Sequence, residues 1–109
     1  MDDLTKDQQY LLTALYKEFI SRQPALDPSS ANYFVDSDSL IPLLGLDFSS
    51  EYVSDMCLAL LHKGYICGGE SECSVDEFWI SDNTIVYMEN LFKNNLKSIL
   101  DFMAKFKPF

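Results

Sequence analysis

The segment 49–80 constrains the fold most, because a helical pattern is followed directly by two short β-prone runs. Apolar residues recur at spacings of three and four over 53–61, as in a helix with one buried face. Gly64 then supplies a residue suited to the position after a helix. The β-prone triplets 65–67 and 78–80 lie on either side of Gly68-Gly69, so a β-hairpin with a flexible tip is predicted. The predicted buried stripe of the helix is Val53, Met56, Cys57, Leu60 and Leu61.

A first helix is predicted over about 5–22, where apolar residues have the same spacing. Thr5 and Gln8 have the capping-box pattern that stabilises a helix start. The following segment 23–32 contains two prolines and several turn formers, which favours a surface connection.

A second, short helix is predicted within 36–45. Pro42 lacks a backbone donor, so this helix either begins late, with Ser39 as its cap, or is kinked at Pro42. Ser49 or Ser50 then caps the helix that carries the buried stripe. The predicted core of the domain comprises Leu15, Phe19, Leu43, Leu44, Val53, Met56, Leu60, Ile66 and Trp79.

The C-terminal region carries a long apolar repeat that begins after Ser81 or Asp82, either of which can cap a helix. A helix over about 82–107 is predicted, and beyond Asn94-Asn95 it has an apolar face that the core does not need. That face predicts a homodimer. The alternative is a break at Asn94-Asn95, with the last helix folded back over the first. The predicted dimer interface consists of Leu96, Ile99, Leu100, Met103 and Phe106.

The element order resembles that of the winged helix-turn-helix superfamily over roughly residues 5–92. The resemblance rests on Leu61-His62-Lys63-Gly64-Tyr65-Ile66 and on Ile80-Ser81-Asp82-Asn83-Thr84-Ile85. Asn83-Thr84 stands where the superfamily usually has Lys-Gly. The chain is similar to the small YjcQ-like proteins of Gram-positive bacteria and their phages. The resemblance implies a single α+β domain over 1–109, mainly α with a small β-hairpin and a long C-terminal helix.

Charge limits the function classes that this fold can serve. The 109-residue chain has 17 acidic residues against 8 Lys and Arg, and its formal net charge is −9. No Lys or Arg lies between Arg22 and Lys63 or between Lys63 and Lys93. Phosphate contacts come mainly from Lys and Arg, so DNA binding is disfavoured. The acidic surface predicted to bind a partner consists of Glu51, Asp55, Glu70, Glu72, Asp76 and Glu77.

Two interpretations of these carboxylates remain open. They bind a basic protein surface, as a phage or mobile-element inhibitor that mimics DNA would, or they are only solvated surface. A dimeric DNA-binding regulator that presents His62 and Lys63 to the DNA backbone is the alternative function. An enzyme is the least favoured class.

No catalytic, cofactor-binding or metal-binding residue is predicted. Cys57, His62, Cys67 and Cys73 could supply four zinc ligands, but their spacing is not that of a structural zinc site, and Cys57 falls in the buried stripe. His62 interacts favourably with the dipole at a helix end. The start has no secretory-signal pattern, no apolar run approaches the roughly 18 residues of a membrane span, and three cysteines favour reduced thiols. A cytoplasmic protein without a membrane partner is expected.

Overall fold

The computed structural model describes residues 2–71, 73–93 and 95–106, and it has an α+β architecture. The described residues form six helices and a small antiparallel sheet of three strands, and α4 packs against β2 and β3. The helices are α1 (Lys6–Ser21), α2 (Pro28–Ala31), α3 (Leu40–Leu44), α4 (Ser50–His62), α5 (Asp82–Phe92) and α6 (Leu96–Ala104). The strands are β1 (Tyr33–Phe34), β2 (Ile66–Glu70) and β3 (Val75–Ile80).

The helix starts follow local side-chain chemistry. Thr5 accepts a hydrogen bond from the Gln8 N–H while the Gln8 side chain accepts one from the Thr5 N–H, so the predicted capping box is confirmed. Ser49 caps α4 through the Tyr52 N–H. The N-cap of α3 is Ser39, which confirms the late start caused by Pro42.

The segment 23–32 was predicted only as a surface connection, yet it contains α2, and β1 follows it directly at a place where no element was predicted. Asp27 caps α2 by accepting the Ser30 N–H, and β1 pairs with β3 in the register Phe34↔Phe78. A two-residue strand has no periodicity of its own, and only pairing with a distant strand defines it. The sheet order is β1-β3-β2, and all neighbouring strands are antiparallel.

The predicted hairpin is confirmed as β2 and β3, which are longer than the predicted triplets. The ladder shifts between Gly68 and Glu70, which indicates a β-bulge. Gly68 lies so close to β3 that a Cβ atom there would be 2.3 Å from the Glu77 carbonyl oxygen. Glycine therefore permits this close strand approach.

The core confirms most of the predicted apolar positions, including Leu15, Phe19 and Val53. Two predictions were wrong: Leu43 is 44% exposed and Trp79 is 37% exposed. Side chains alternate along a strand, and Phe78 and Ile80 occupy the core face, so Trp79 lies on the opposite face. The other confirmed core residues are Met56, Leu60 and Ile66, while Leu44 is partly buried.

The C-terminal region is not one helix over 82–107. Lys93 adopts a left-handed conformation with φ 52°, and α5 ends there. Asn95 begins α6 by accepting hydrogen bonds from the N–H groups of Lys97 and Ser98. The alternative of a break followed by folding back is therefore the one observed, and α6 packs against α1.

Aromatic contacts hold α6 in this folded-back position. The Phe92 ring stacks with Tyr16 of α1, with 6.2 Å between ring centroids, and meets Phe102 of α6 edge-on at 5.3 Å. Ile99 is completely buried. Burial of an isoleucine contributes roughly 1.5–3 kcal/mol, which favours the break over a continuous exposed helix. Among the described residues, no helix is long and apolar enough to cross a lipid bilayer.

Candidate acidic interaction surface

A buried group of hydrogen bonds joins the loop before α3 to α4 and β3. The Ser37 and Ser54 hydroxyl oxygens lie 3.3 Å apart, and the Ser37 hydroxyl also accepts the Val75 N–H at 3.2 Å. The Ser37 N–H donates to the Val75 carbonyl at 2.9 Å. All three residues are buried. We call Ser37, Ser54 and Val75 the serine hub.

Each residue of the serine hub is followed or flanked by carboxylates that point away from the core. Asp55 follows Ser54 on α4, and it is exposed. The hub therefore joins three segments of the chain that carry acidic residues. We define the acidic face as Asp36, Asp38, Asp55, Asp76 and Glu77, of which only Asp36 is partly buried.

The raised pKa of Tyr33 indicates that two of these carboxylates, Glu77 and Asp36, lie close to its hydroxyl group. Desolvation is the main cause that raises the pKa of the Tyr33 hydroxyl, and the charge and hydrogen bonding of Glu77 and the charge of Asp36 raise it further. Residues from β3 and from the loop before α3 thus act on the same hydroxyl group. Negative charge near a phenol disfavours its ionised form.

The acidic face differs from the predicted partner-binding set. Asp55, Asp76 and Glu77 belong to both, whereas Glu51 is exposed in the first turn of α4 beyond the hub. Glu72 lies outside the described residues. Glu70 contacts His62, with 2.6 Å between Oε1 and Nε2, so its carboxylate already has a cationic partner when His62 is protonated.

Asp36 and Asp38 were missed as interaction residues because they were assigned only to the start of the short helix predicted within 36–45. Asp36 accepts the Ser39 N–H at 2.8 Å, so it stabilises the backbone just before α3. The signal that could have identified both residues is the absence of Lys and Arg from 23–62. An acidic residue in such a segment has no local cation to pair with, whatever its backbone role.

The cations near the end of α4 are engaged by acceptors of this chain. Lys63 Nζ donates to the Asp3 carbonyl, and the Tyr65 hydroxyl donates to Asp3 Oδ1 at 2.6 Å. The Tyr65 hydrogen bond is the main cause that lowers the pKa of Asp3, and the same bond raises the pKa of Tyr65 to about 12. Leu4 is buried beside this contact and anchors the N-terminal segment.

The candidate metal and nucleophilic residues occupy different environments. Cys57 is buried as predicted, and burial raises the pKa of its thiol to about 12, so it stays protonated at neutral pH. Cys67 and Cys73 are exposed on the hairpin. Within residues 2–71, 73–93 and 95–106, no group of three or more His, Cys, Asp or Glu side chains could hold a metal ion.

No protein-family model matches the chain, and no curated protein or solved structure is significantly similar to it.

Proposed function

We propose that this chain is a non-enzymatic winged-helix protein whose acidic face binds a basic surface on a protein partner. The observation that carries the proposal is that the serine hub joins three segments of the chain that carry these five acidic residues. Hydrogen bonds hold their backbones in place before a partner arrives, which reduces the ordering cost of binding. Fixed negative charge also accelerates the encounter with a basic partner.

The element order supports the winged-helix part of the proposal. The order α1, α3, α4, β2–β3 hairpin and α5 is the order that the resemblance implies, although α2 and β1 lie between α1 and α3. The sheet order β1-β3-β2 places the hairpin beside the strand that precedes α3. In this interpretation α4 is the recognition helix and β2–β3 is the wing. Asp55 on α4 and Asp76 and Glu77 on the wing then lie on the elements that contact DNA in DNA-binding winged-helix proteins.

Charge argues against DNA as the ligand of that surface. A protein binds the DNA backbone by placing Lys and Arg against phosphates, and long-range repulsion from carboxylates opposes this. Lys63 and His62 would be needed for a backbone contact, but they are engaged by Asp3 and Glu70. A DNA-binding regulator would have to break both of these contacts before Lys63 and His62 could bind the DNA backbone.

A partner that itself binds nucleic acid would suit the acidic face. Carboxylates held on α4 and β3 present negative charge on a rigid frame, as phosphates do on a duplex. An inhibitor made by a phage or mobile element could compete with DNA in this way. Catalysis is not needed for this role, and the Ser37 and Ser54 hydroxyls are engaged with each other.

The test compares two variants of equal charge. One carries Asp55→Asn, Asp76→Asn and Glu77→Gln on the acidic face. The control carries Asp82→Asn, Glu89→Gln and Asp101→Asn, which are exposed on α5 and α6. Three neutralised carboxylates take the formal net charge from −9 to −6 in both.

Each immobilised protein is incubated with nuclease-treated cell lysate, and the retained proteins are quantified. We expect wild type and control to retain the same basic proteins and the acidic-face variant to lose them. Equal retention by both variants would show that position on the acidic face does not matter. In parallel, duplex DNA is titrated at about 50 mM salt, and binding tighter than roughly micromolar would contradict the proposal in favour of a DNA-binding regulator.

A further inference from the structure

A row of three side chains crosses the face of the sheet that lies opposite the core. Tyr33 of β1 and Cys67 of β2 are the direct cross-strand partners of Trp79 in β3. Directly opposed residues point to the same face of a sheet, so the three side chains lie together. The Tyr33 and Trp79 rings interact, with 5.7 Å between their centroids and 59° between their planes. Trp79 is 37% exposed, so part of its ring is accessible to a partner.

Glu77 adds negative charge to the same face. It lies two residues before Trp79 in β3, so the two side chains point to the same side and are about 7 Å apart along the strand. Glu77 is exposed, and β2 leaves the space beside it open, because Gly68 and Gly69 have no side chains. Desolvation, followed by the charge and a hydrogen bond of Glu77, raises the pKa of the Tyr33 hydroxyl. This carboxylate therefore lies beside the aromatic pair.

No cation of the described part of the chain neutralises the charge at this place. The salt bridges that the described residues form lie elsewhere, one at the end of α1 and one between the end of α4 and β2. Neither includes Glu77 or Asp36, whose charge also acts on the Tyr33 hydroxyl. Lys and Arg are absent from 64–92, which includes the whole hairpin. An exposed aromatic ring beside carboxylates without a cation is complementary to a cationic side chain.

We propose that Trp79 and Tyr33 form a site for an arginine side chain of the basic protein partner. The guanidinium stacks on the exposed Trp79 ring, and its N–H groups donate to the Glu77 carboxylate. Arginine fits better than lysine, because its planar group can stack on a ring and donate paired hydrogen bonds to a carboxylate at the same time. The inference rests on the proposed function, because Glu77 belongs to the acidic face and the site names the side chain by which the partner is held.

Two peptides of equal charge test the site. They are fluorescein-labelled hexa-arginine and hexa-lysine, both amidated at the C-terminus. Binding to the full chain is measured by fluorescence anisotropy at about 50 mM salt, where screening is weak. The acidic face attracts both peptides, but only arginine has the planar group. We expect wild type to bind the arginine peptide about two- to fivefold more tightly, as one exposed cation–ring contact would provide. Equal affinities would overturn the inference.

Matched variants locate the contact. Trp79→Leu removes the ring without a change of charge, and Tyr87→Leu does the same on α5, where Tyr87 is 43% exposed. We expect Trp79→Leu to weaken the arginine peptide about two- to fivefold and to abolish the preference for it over the lysine peptide. Tyr87→Leu should keep the wild-type preference. A preference that survives in Trp79→Leu, or that is lost equally in Tyr87→Leu, would contradict the site.

A second measurement needs no variant and so does not depend on the folding of Trp79→Leu. Trp79 is the only tryptophan of the chain. Unlabelled hexa-arginine should therefore change the tryptophan emission of wild type, with the midpoint that anisotropy gives. Unchanged emission at saturating peptide would overturn the inference.

The outcomes distinguish this site from the proposed function. If both peptides bind wild type equally and both are lost in the variant with Asp55→Asn, Asp76→Asn and Glu77→Gln, the acidic face is supported and the arginine site is overturned. If neither peptide binds, the arginine site is also overturned, and the retention of basic proteins from lysate tests the proposed function by itself.

Discussion

The buried Asn32 side chain pairs with both backbone groups of Ile80. Its Oδ1 accepts the Ile80 N–H at 2.9 Å, and its Nδ2 donates to the Ile80 carbonyl at 2.8 Å. The amide thereby extends the β1–β3 ladder by one position with a side chain in place of a strand residue. It also joins the end of α2 to the last residue of β3.

Asn32→Ala should destabilise the fold strongly. The change leaves a buried N–H and a buried carbonyl of Ile80 without their partner, and each such group costs about 1–3 kcal/mol. We expect the free energy of unfolding to fall by about 2 kcal/mol or more in urea denaturation. Asn90→Ala, at an exposed position of α5, is the control and should stay within about 0.5 kcal/mol of wild type. A similar small effect at Asn32 would mean that the Ile80 groups find other partners.

Cys57 should be protected from alkylation and should make stability depend on pH. Burial raises the pKa of its thiol from 9.0 to about 12, so the unfolded state loses this proton first as the pH rises. The contribution is complete below pH 9.0 and is lost as the pH rises through about 12. We expect iodoacetamide to modify Cys67 and Cys73 in the native protein and Cys57 only after unfolding. The stability advantage of wild type over Cys57→Ala should shrink from about pH 8 to about pH 11, and a constant difference would contradict the assignment.

Charge reversal on the acidic face should slow partner association. Asp76→Lys with Glu77→Lys is expected to lower the association rate and flatten its dependence on salt, because steering acts within a Debye length of about 8 Å at physiological ionic strength. Glu70 and Glu72 also belong to the surface predicted from the sequence to bind a partner. Glu70→Lys should have a smaller effect, since Glu70 already contacts His62 at 2.6 Å. The association rate of each variant with the captured partner is measured by stopped flow. A larger effect of Glu70→Lys than of the double variant would indicate that the partner contacts the end of the hairpin instead.

The homodimer predicted from the sequence now requires a smaller interface. Ile99 is buried within the chain, and Met103 and Phe106 are partly buried, whereas Leu96 and Leu100 are 48% and 46% exposed. A dimer built on two leucines per chain should be weak. We expect the mass in sedimentation equilibrium to rise with concentration and Leu100→Glu to return it to one chain.

Two variants of α6 distinguish the dimer interface from the core. Leu100→Glu should keep the helical circular dichroism of wild type. Ile99→Ala should instead lower the free energy of unfolding by about 2–5 kcal/mol, because it removes buried apolar atoms. A mass of one chain at every concentration for wild type would contradict the dimer.

Local signals made much of this fold predictable. The capping box at Thr5, the cap at Ser49 and the buried stripe of α4 depend on residues within a turn of each other, so sequence spacing reveals them. The start of α3 at Leu40 followed in the same way from Pro42. The acidic residues Asp55, Asp76 and Glu77 could be proposed before the fold was known because charge can be counted in the sequence.

The features that were missed depend on contacts between distant segments. β1 exists because Phe34 pairs with Phe78, and the outward position of Trp79 depends on which face of β3 meets the helices. The end of α5 was visible as Asn94-Asn95, but the choice between a break and a continuous helix depended on Phe102 reaching Phe92. The serine hub joins positions 17 and 38 residues apart, so it could not be recognised before the chain was folded.

The close approach of Gly68 to β3 limits how the hairpin can change during evolution. Any side chain at this position would push against the carbonyl of Glu77, so β2 would separate from the strand that carries Asp76 and Glu77. Gly69 has no such restriction, because the nearest atom to an added Cβ is 3.5 Å away. Selection from a library randomised at both positions should therefore return only glycine at 68 and many residues at 69. Lineages of this protein can therefore change residue 69, whereas the glycine that brings β2 against the acidic strand has no substitute.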